Sequence, residues 1–285
     1  MADRFFLCCG PPKSGTTFLQ RMLGMHPEVS CPSEQGFEAI ARNIDTFVPS
    51  YNKGLRVADR RTGGQGAPTV DIDIARAILR DTILNLSRGF AGGKPVHGLN
   101  DNSVFDKLKF YDDLFESPPV ICMLRDPVDQ AISNWNHNHR LAKEEKDRAA
   151  GHLKPLENPE GTLDGYVRLQ AAGFNSLVRH FCDHAEGRSN ILTIRYESLV
   201  EDRMGELRRL FSFLEVDASP RVLEPIVTQS SRKNMVAQSA HPEFFGLDEG
   251  GKNQTTVSAE VRIQALQACS EGLERLGYEL GSVSV

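Results

Sequence analysis

Arg4-Phe5-Phe6-Leu7-Cys8-Cys9-Gly10-Pro11-Pro12-Lys13-Ser14-Gly15-Thr16-Thr17-Phe18-Leu19-Gln20-Arg21-Met22-Leu23 is the stretch whose reading decides the fold. It opens with an apolar run of strand length and breaks at Gly-Pro-Pro. From Thr16 to about Met25 the apolar residues then recur at helical spacing. A strand, a short polar loop and a helix in that order make an anion-binding corner. The first N–H groups of the helix converge on one point and carry roughly half a positive charge. Lys13 adds a full charge there, and the Thr16 and Thr17 hydroxyls offer two more donors.

Further along the chain the same alternation repeats. Pro118–Leu124 is a second apolar run, followed by Pro127 where a helix can begin. Asn190–Arg195 is a third, followed by a helical pattern through Leu207, Leu210, Phe211 and Leu214, and Pro95–Gly98 reads as a weaker strand. The expected fold class is α/β: a P-loop-like, three-layer fold whose central, mostly parallel sheet is flanked by helices. Asp59–Thr69, Lys143–Glu160 and Ser230–Thr256 read as loops, none of them a linker, so residues 1–285 form a single domain.

Composition narrows the function. With 40% hydrophobic and 25% charged residues the chain is an ordinary globular protein. A net charge of −5 argues against a non-specific nucleic-acid binder. No apolar stretch is long enough for a membrane span, and the N-terminal run is too short for an export signal. The six cysteines form no C-x-x-C pair and read as buried free thiols, which places the protein in the cytoplasm.

The loop departs from the nucleoside-triphosphate pattern G-x-x-x-x-G-K-[ST]. Gly10 and Gly15 keep its spacing, but Thr stands at position 16 and the lysine lies upstream at 13. Pro12-Lys13-Ser14-Gly15-Thr16-Thr17 resembles instead the 5′-phosphosulfate loop of sulfotransferases that use 3′-phosphoadenosine 5′-phosphosulfate (PAPS). Such a donor needs a second cationic pocket for its 3′-phosphate. Leu124-Arg125-Asp126-Pro127 with Ser133 matches that family's R-D-P motif with a serine eight residues on, and a guanidinium at a strand end can fork onto a phosphate. Arg195-Tyr196-Glu197-Ser198-Leu199 resembles its R-Y-E-x-L segment, whose tyrosine approaches the adenine. Phe213-Leu214 and Leu276-Gly277-Tyr278 also fit. Gly250-Gly251-Lys252 resembles the loop that closes over the 3′-phosphate, with altered spacing. The similarity spans nearly the whole chain.

The resemblance also implies the chemistry. Sulfuryl transfer to a hydroxyl needs charge neutralised on the leaving oxygen, a role for Lys13, and a general base. In the cytosolic small-molecule branch the base is a histidine after the third strand, where His97 stands. In the tyrosylprotein branch it is a glutamate, and Met22–Glu34, with His26-Pro27 and Cys31 in register, puts Glu34 there. Glu34 is favoured; it also suits the start of a helix, and a short strand before it would return it to the same sheet edge. The lysine that several branches carry after the third strand is missing, leaving Asn100 or Asn102 as neutral donors.

Expected donor ligands are therefore Lys13, Ser14, Gly15, Thr16, Thr17, Arg125, Ser133, Tyr196 and Lys252, with PAPS as co-substrate and no metal. His137 and His139, two apart in Trp135–His139, do not share a helix face and are no metal pair. The expected acceptor is a hydroxyl on a small molecule, lipid or saccharide, selected by the loops at 48–70, 141–162 and 230–250. Residues 252–260 resemble a homodimer segment of cytosolic members. The rival reading is a small-molecule kinase, with Asp126 as the only strand-end aspartate to hold magnesium.

Overall fold

In the computed structural model the residues described are 4–32, 37–65, 68–143, 161–237 and 256–278. Five strands, β1 (Arg4–Cys9), β2 (Val29–Ser30), β3 (Val96–Asn100), β4 (Val120–Leu124) and β5 (Ile191–Arg195), pair in the order β2-β3-β1-β4-β5. All four pairings are parallel. Helices follow the strands: α1 (Thr16–Met25), α2 (Phe37–Thr62), α3 (Ile72–Ala91), α4 (Ser103–Asp106), α5 (Leu108–Phe115), α6 (Pro127–Lys143) and α7 (Leu163–Ala185). After β5 come α8 (Tyr196–Glu201), α9 (Arg203–Phe213), α10 (Pro220–Gln229), α11 (Arg232–Ala237), α12 (Ala259–Ala268) and α13 (Ser270–Arg275).

Strand alternation divides the core into two layers. Leu7, Cys9, Leu99, Cys122 and Leu124 face one way and pack with α3 to α7, α12 and α13. Phe6, Cys8, Val96, Ile121, Met123 and Ile194 face the other and pack with α1 and α8 to α11. Because every strand is parallel, the chain leaves each at one common edge, where ligands bind in such sheets. That edge collects Gly10, Cys31, Asp101, Arg125 and Tyr196.

The apolar runs fall on β1, β3, β4 and β5, and all six cysteines are buried and free of disulfides. Some expectations are corrected. Asp59–Thr69 is not all loop, because α2 runs on to Thr62 until Gly63 and Gly64 end it. The pattern after β5 is not one helix, since Asp202 breaks it and its side chain caps Gly205 N at 2.9 Å to start α9. Within 230–256, Arg232–Ala237 is helical, and 48–62 of the first acceptor loop is helix as well. Residues 144–160 lie outside the described residues, as do 252–255 of the dimer segment, whose remainder leads into α12. No helix among those described is long and apolar enough to cross a membrane.

Candidate active site

The corner after β1 is shaped by two close approaches. A side chain at Gly10 would place its Cβ 2.3 Å from the Met123 carbonyl oxygen, and one at Gly15 would lie 2.7 Å from the Tyr196 ring. Gly15 also holds φ +101°, a backbone that side chains rarely adopt. The turn between them closes through Ser14 N–H donating to the Pro11 carbonyl at 3.1 Å, with Lys13 at φ +69°. Helix α1 then starts at Thr16, its first N–H groups aimed at the loop. Ser14 is fully buried, and its hydroxyl has no hydrogen-bond partner among the described residues. Thr17 is exposed, whereas Thr16 is buried and its hydroxyl donates to Asn102 Oδ1 at 3.4 Å.

Arg125 leaves β4 on the neighbouring side. It is 5% exposed, and its guanidinium lies 4.5 Å over the Tyr196 ring. Nη1 makes a long hydrogen bond of 3.5 Å to the Lys13 carbonyl oxygen, while Nε and Nη2 have no partner among the described residues. A buried cation with two unused donors is costly unless an anion completes it. Ser133 lies half-buried on α6, about two turns along. Tyr196 opens α8, with its ring 6.2 Å from that of Phe18. Burial pushes its phenol up, opposed by the nearby Arg125 charge.

Arg125 is not paired with Asp126, which faces elsewhere. Asp126 Oδ1 accepts from the N–H groups of Val128 at 2.8 Å and Asp129 at 3.0 Å, capping α6. Its Oδ2 takes Arg262 Nη2 at 2.8 Å, and Arg262 Nη1 reaches Asp129 at 3.1 Å. Burial, then the Asp129 charge, raise its carboxyl to about 6 against the pull of Arg262. Nor is Asp126 the only aspartate at a strand end. Asp101, 6% exposed after β3, accepts from Ser103 N at 2.9 Å, and its Oδ2 has no partner among the described residues.

His97 sits inside β3, three residues short of the edge, 1% exposed and bonded through Nδ1 to Ser87 Oγ at 2.9 Å. Glu34 and Lys252 lie outside the described residues. The short strand before Glu34 is present as β2, and Gln20 ties the Cys31 carbonyl beyond it to α1 at 2.8 Å. His139 packs on Trp135 with ring centroids 4.2 Å apart. No group of three or more His, Cys, Asp or Glu among the described residues could hold a metal ion.

Two residues quoted only as parts of motifs have visible work. Glu197 Oε1 accepts from Asp126 N at 2.8 Å, and Glu197 Oε2 accepts from the Tyr278 hydroxyl at 3.3 Å. Arg195 covers the Tyr278 ring at 4.4 Å. The E of R-Y-E therefore joins β5, the start of α6 and the end of the described chain.

A family model described as "Sulfotransferase family" matches residues 6–220. The chain is 22% identical to a protein-tyrosine sulfotransferase A from Caenorhabditis elegans, over 96% of this chain and 67% of that protein. Its fold is similar to a mouse sulfotransferase solved with PAP, at TM-score 0.58 and 15% identity, covering 95% of this chain and 84% of that one. It is also similar to a sulfotransferase from Alicyclobacillus acidocaldarius, at TM-score 0.53 and 18% identity, covering 99% of both.

Proposed function

The chain belongs to the sulfotransferase family, and from that premise we propose that it moves a sulfuryl group from PAPS to an acceptor hydroxyl. The observation that carries the choice of donor is the buried Arg125, whose Nε and Nη2 have no partner among the described residues, beside the Ser14–Thr17 loop. One nucleotide bearing anions at both its 5′ and 3′ ends meets both needs: the loop takes the 5′-phosphosulfate, and Arg125 with Ser133 takes the 3′-phosphate. Tyr196 backs Arg125 and borders the adenine. Lys252 would add charge over the 3′-phosphate.

The chemistry then divides between two side chains. Lys13 neutralises the charge that grows on the leaving phosphate oxygen, aided by the helix N-terminus. Glu34, three residues past Cys31 in the sequence, takes the acceptor's proton, and the transfer is an in-line displacement. His97, turned to Ser87 inside the sheet, is the weaker candidate for that proton. Lys13 supplies the charge stabilisation, so the step as written needs no metal ion. The acceptor is a small molecule, lipid or saccharide hydroxyl.

Titration with 3′-phosphoadenosine 5′-phosphate (PAP) tests the donor, read as a rise in melting temperature and a Kd. PAP should stabilise the chain without magnesium. Arg125→Ala should weaken it at least about tenfold, as loss of charge-assisted hydrogen bonds does. Glu34→Gln should keep PAP binding and lose turnover. Stabilisation by magnesium-ATP in place of PAP would make the kinase the working assignment.

A further inference from the structure

Among the described residues Arg125 has little of its own to fix it: one long hydrogen bond and an aromatic face. The next residue is held from every side. Asp126 engages Glu197 through its N–H, the first turn of α6 through Oδ1, and Arg262 through Oδ2. Arg262 reaches in from α12, more than a hundred residues later in the chain, and forks across Asp126 and Asp129. It is largely buried, with its side chain 19% exposed. The fork therefore ties the end of β4 and the first turn of α6 to α12.

We propose that Arg262 is a positioning residue for the 3′-phosphate pocket, acting through Asp126 and Asp129 on the junction that carries Arg125 and Ser133. The inference rests on the donor reading above. A salt bridge that served stability alone is poorly placed here. Asp126, Asp129 and Glu197 gather in one partly buried spot, and a buried ion pair adds little over apolar packing of the same shape. What the fork supplies is direction, and a pocket for a planar guanidinium and a phosphate depends on direction.

Two nucleotides separate positioning from general stability: PAP, and AMP, which lacks the 3′-phosphate. Arg262→Gln should weaken PAP at least about tenfold and AMP no more than about twofold, a loss of one charge-assisted contact at the far phosphate. Arg262→Lys, which keeps a charge but not the fork, should recover part of the loss. Asp129→Asn removes only one prong and should produce a smaller loss in the same direction, which serves if the Gln variant does not fold. Equal weakening of both nucleotides, or unchanged PAP affinity, overturns the proposal. A wild-type chain that binds PAP and AMP alike overturns the donor reading itself, and the positioning role with it.

Discussion

At the scale of single residues, the buried carboxyl of Asp126 makes a prediction whose sign is unusual for an aspartate. Its carboxyl is raised from an ordinary 3.8 to about 6. Between those values the native chain holds more proton than the unfolded one, so this group's contribution to stability falls as pH rises and its cost is complete above about 6. The full shift corresponds to at most about 3 kcal/mol. Asp126→Asn should therefore gain in melting temperature relative to wild type as pH goes from 4 to 7; a gap that is flat or shrinks across that range refutes the assignment. The places of the Lys13 loop between β1 and α1 and of Arg125 at the end of β4 were legible from residue type and spacing, while the roles given to them came from the family resemblance. Arg262 was not, because nothing local distinguishes it from any helix arginine; its partners come from a different stretch of chain. Asp101 was overlooked although Asp101-Asn102-Ser103 has the form of a helix-start cap.

At the scale of elements, the loop between β1 and α1 works because its glycines carry no side chain and so let Met123 and Tyr196 come close. Gly15→Ala would press a methyl against Tyr196 at 2.7 Å and Met123 at 3.1 Å, at a φ that alanine disfavours. The expected cost is roughly 1–3 kcal/mol in denaturant unfolding, together with weaker PAP binding as the Tyr196 ring is displaced. Unchanged stability and affinity would mean that the corner tolerates a side chain. The strands were readable because short apolar runs between glycine and proline breaks have few other interpretations. Helix ends were less so. The polar run through Asp59-Arg60-Arg61 reads as loop by composition, yet arginine is a good helix former, two of them suit the negative end of the helix dipole, and α2 continues to Thr62 before Gly63. Asp202 interrupts a continuous apolar pattern through a side-chain cap that no periodicity reveals.

At the scale of the whole molecule, the sheet order sorts the site into two sides. Arg125 and Tyr196 follow β4 and β5 on one side of β1, and β3 and β2 lie on the other. The parallel, three-layer class followed from the alternation of runs and helical patterns, but the order of strands did not, since sequence order and spatial order differ. The family match ends at residue 220, while Val261, Ala265, Cys269 and Leu273 from the last helices lie in the same core as β1 and β4. The six thiols have a practical consequence. Burial pushes Cys122, Cys182 and Cys269 up, Cys269 to about 12, and a hydrogen bond with Cys8 together with burial does the same to Cys31. A disulfide reagent in neutral buffer should find almost nothing to react with until the chain opens, then titrate all six. The native cysteines are thereby a built-in clock for unfolding. They also leave the surface free for a single engineered cysteine to take a fluorophore alone, with PAP expected to slow the clock wherever it binds the closed form.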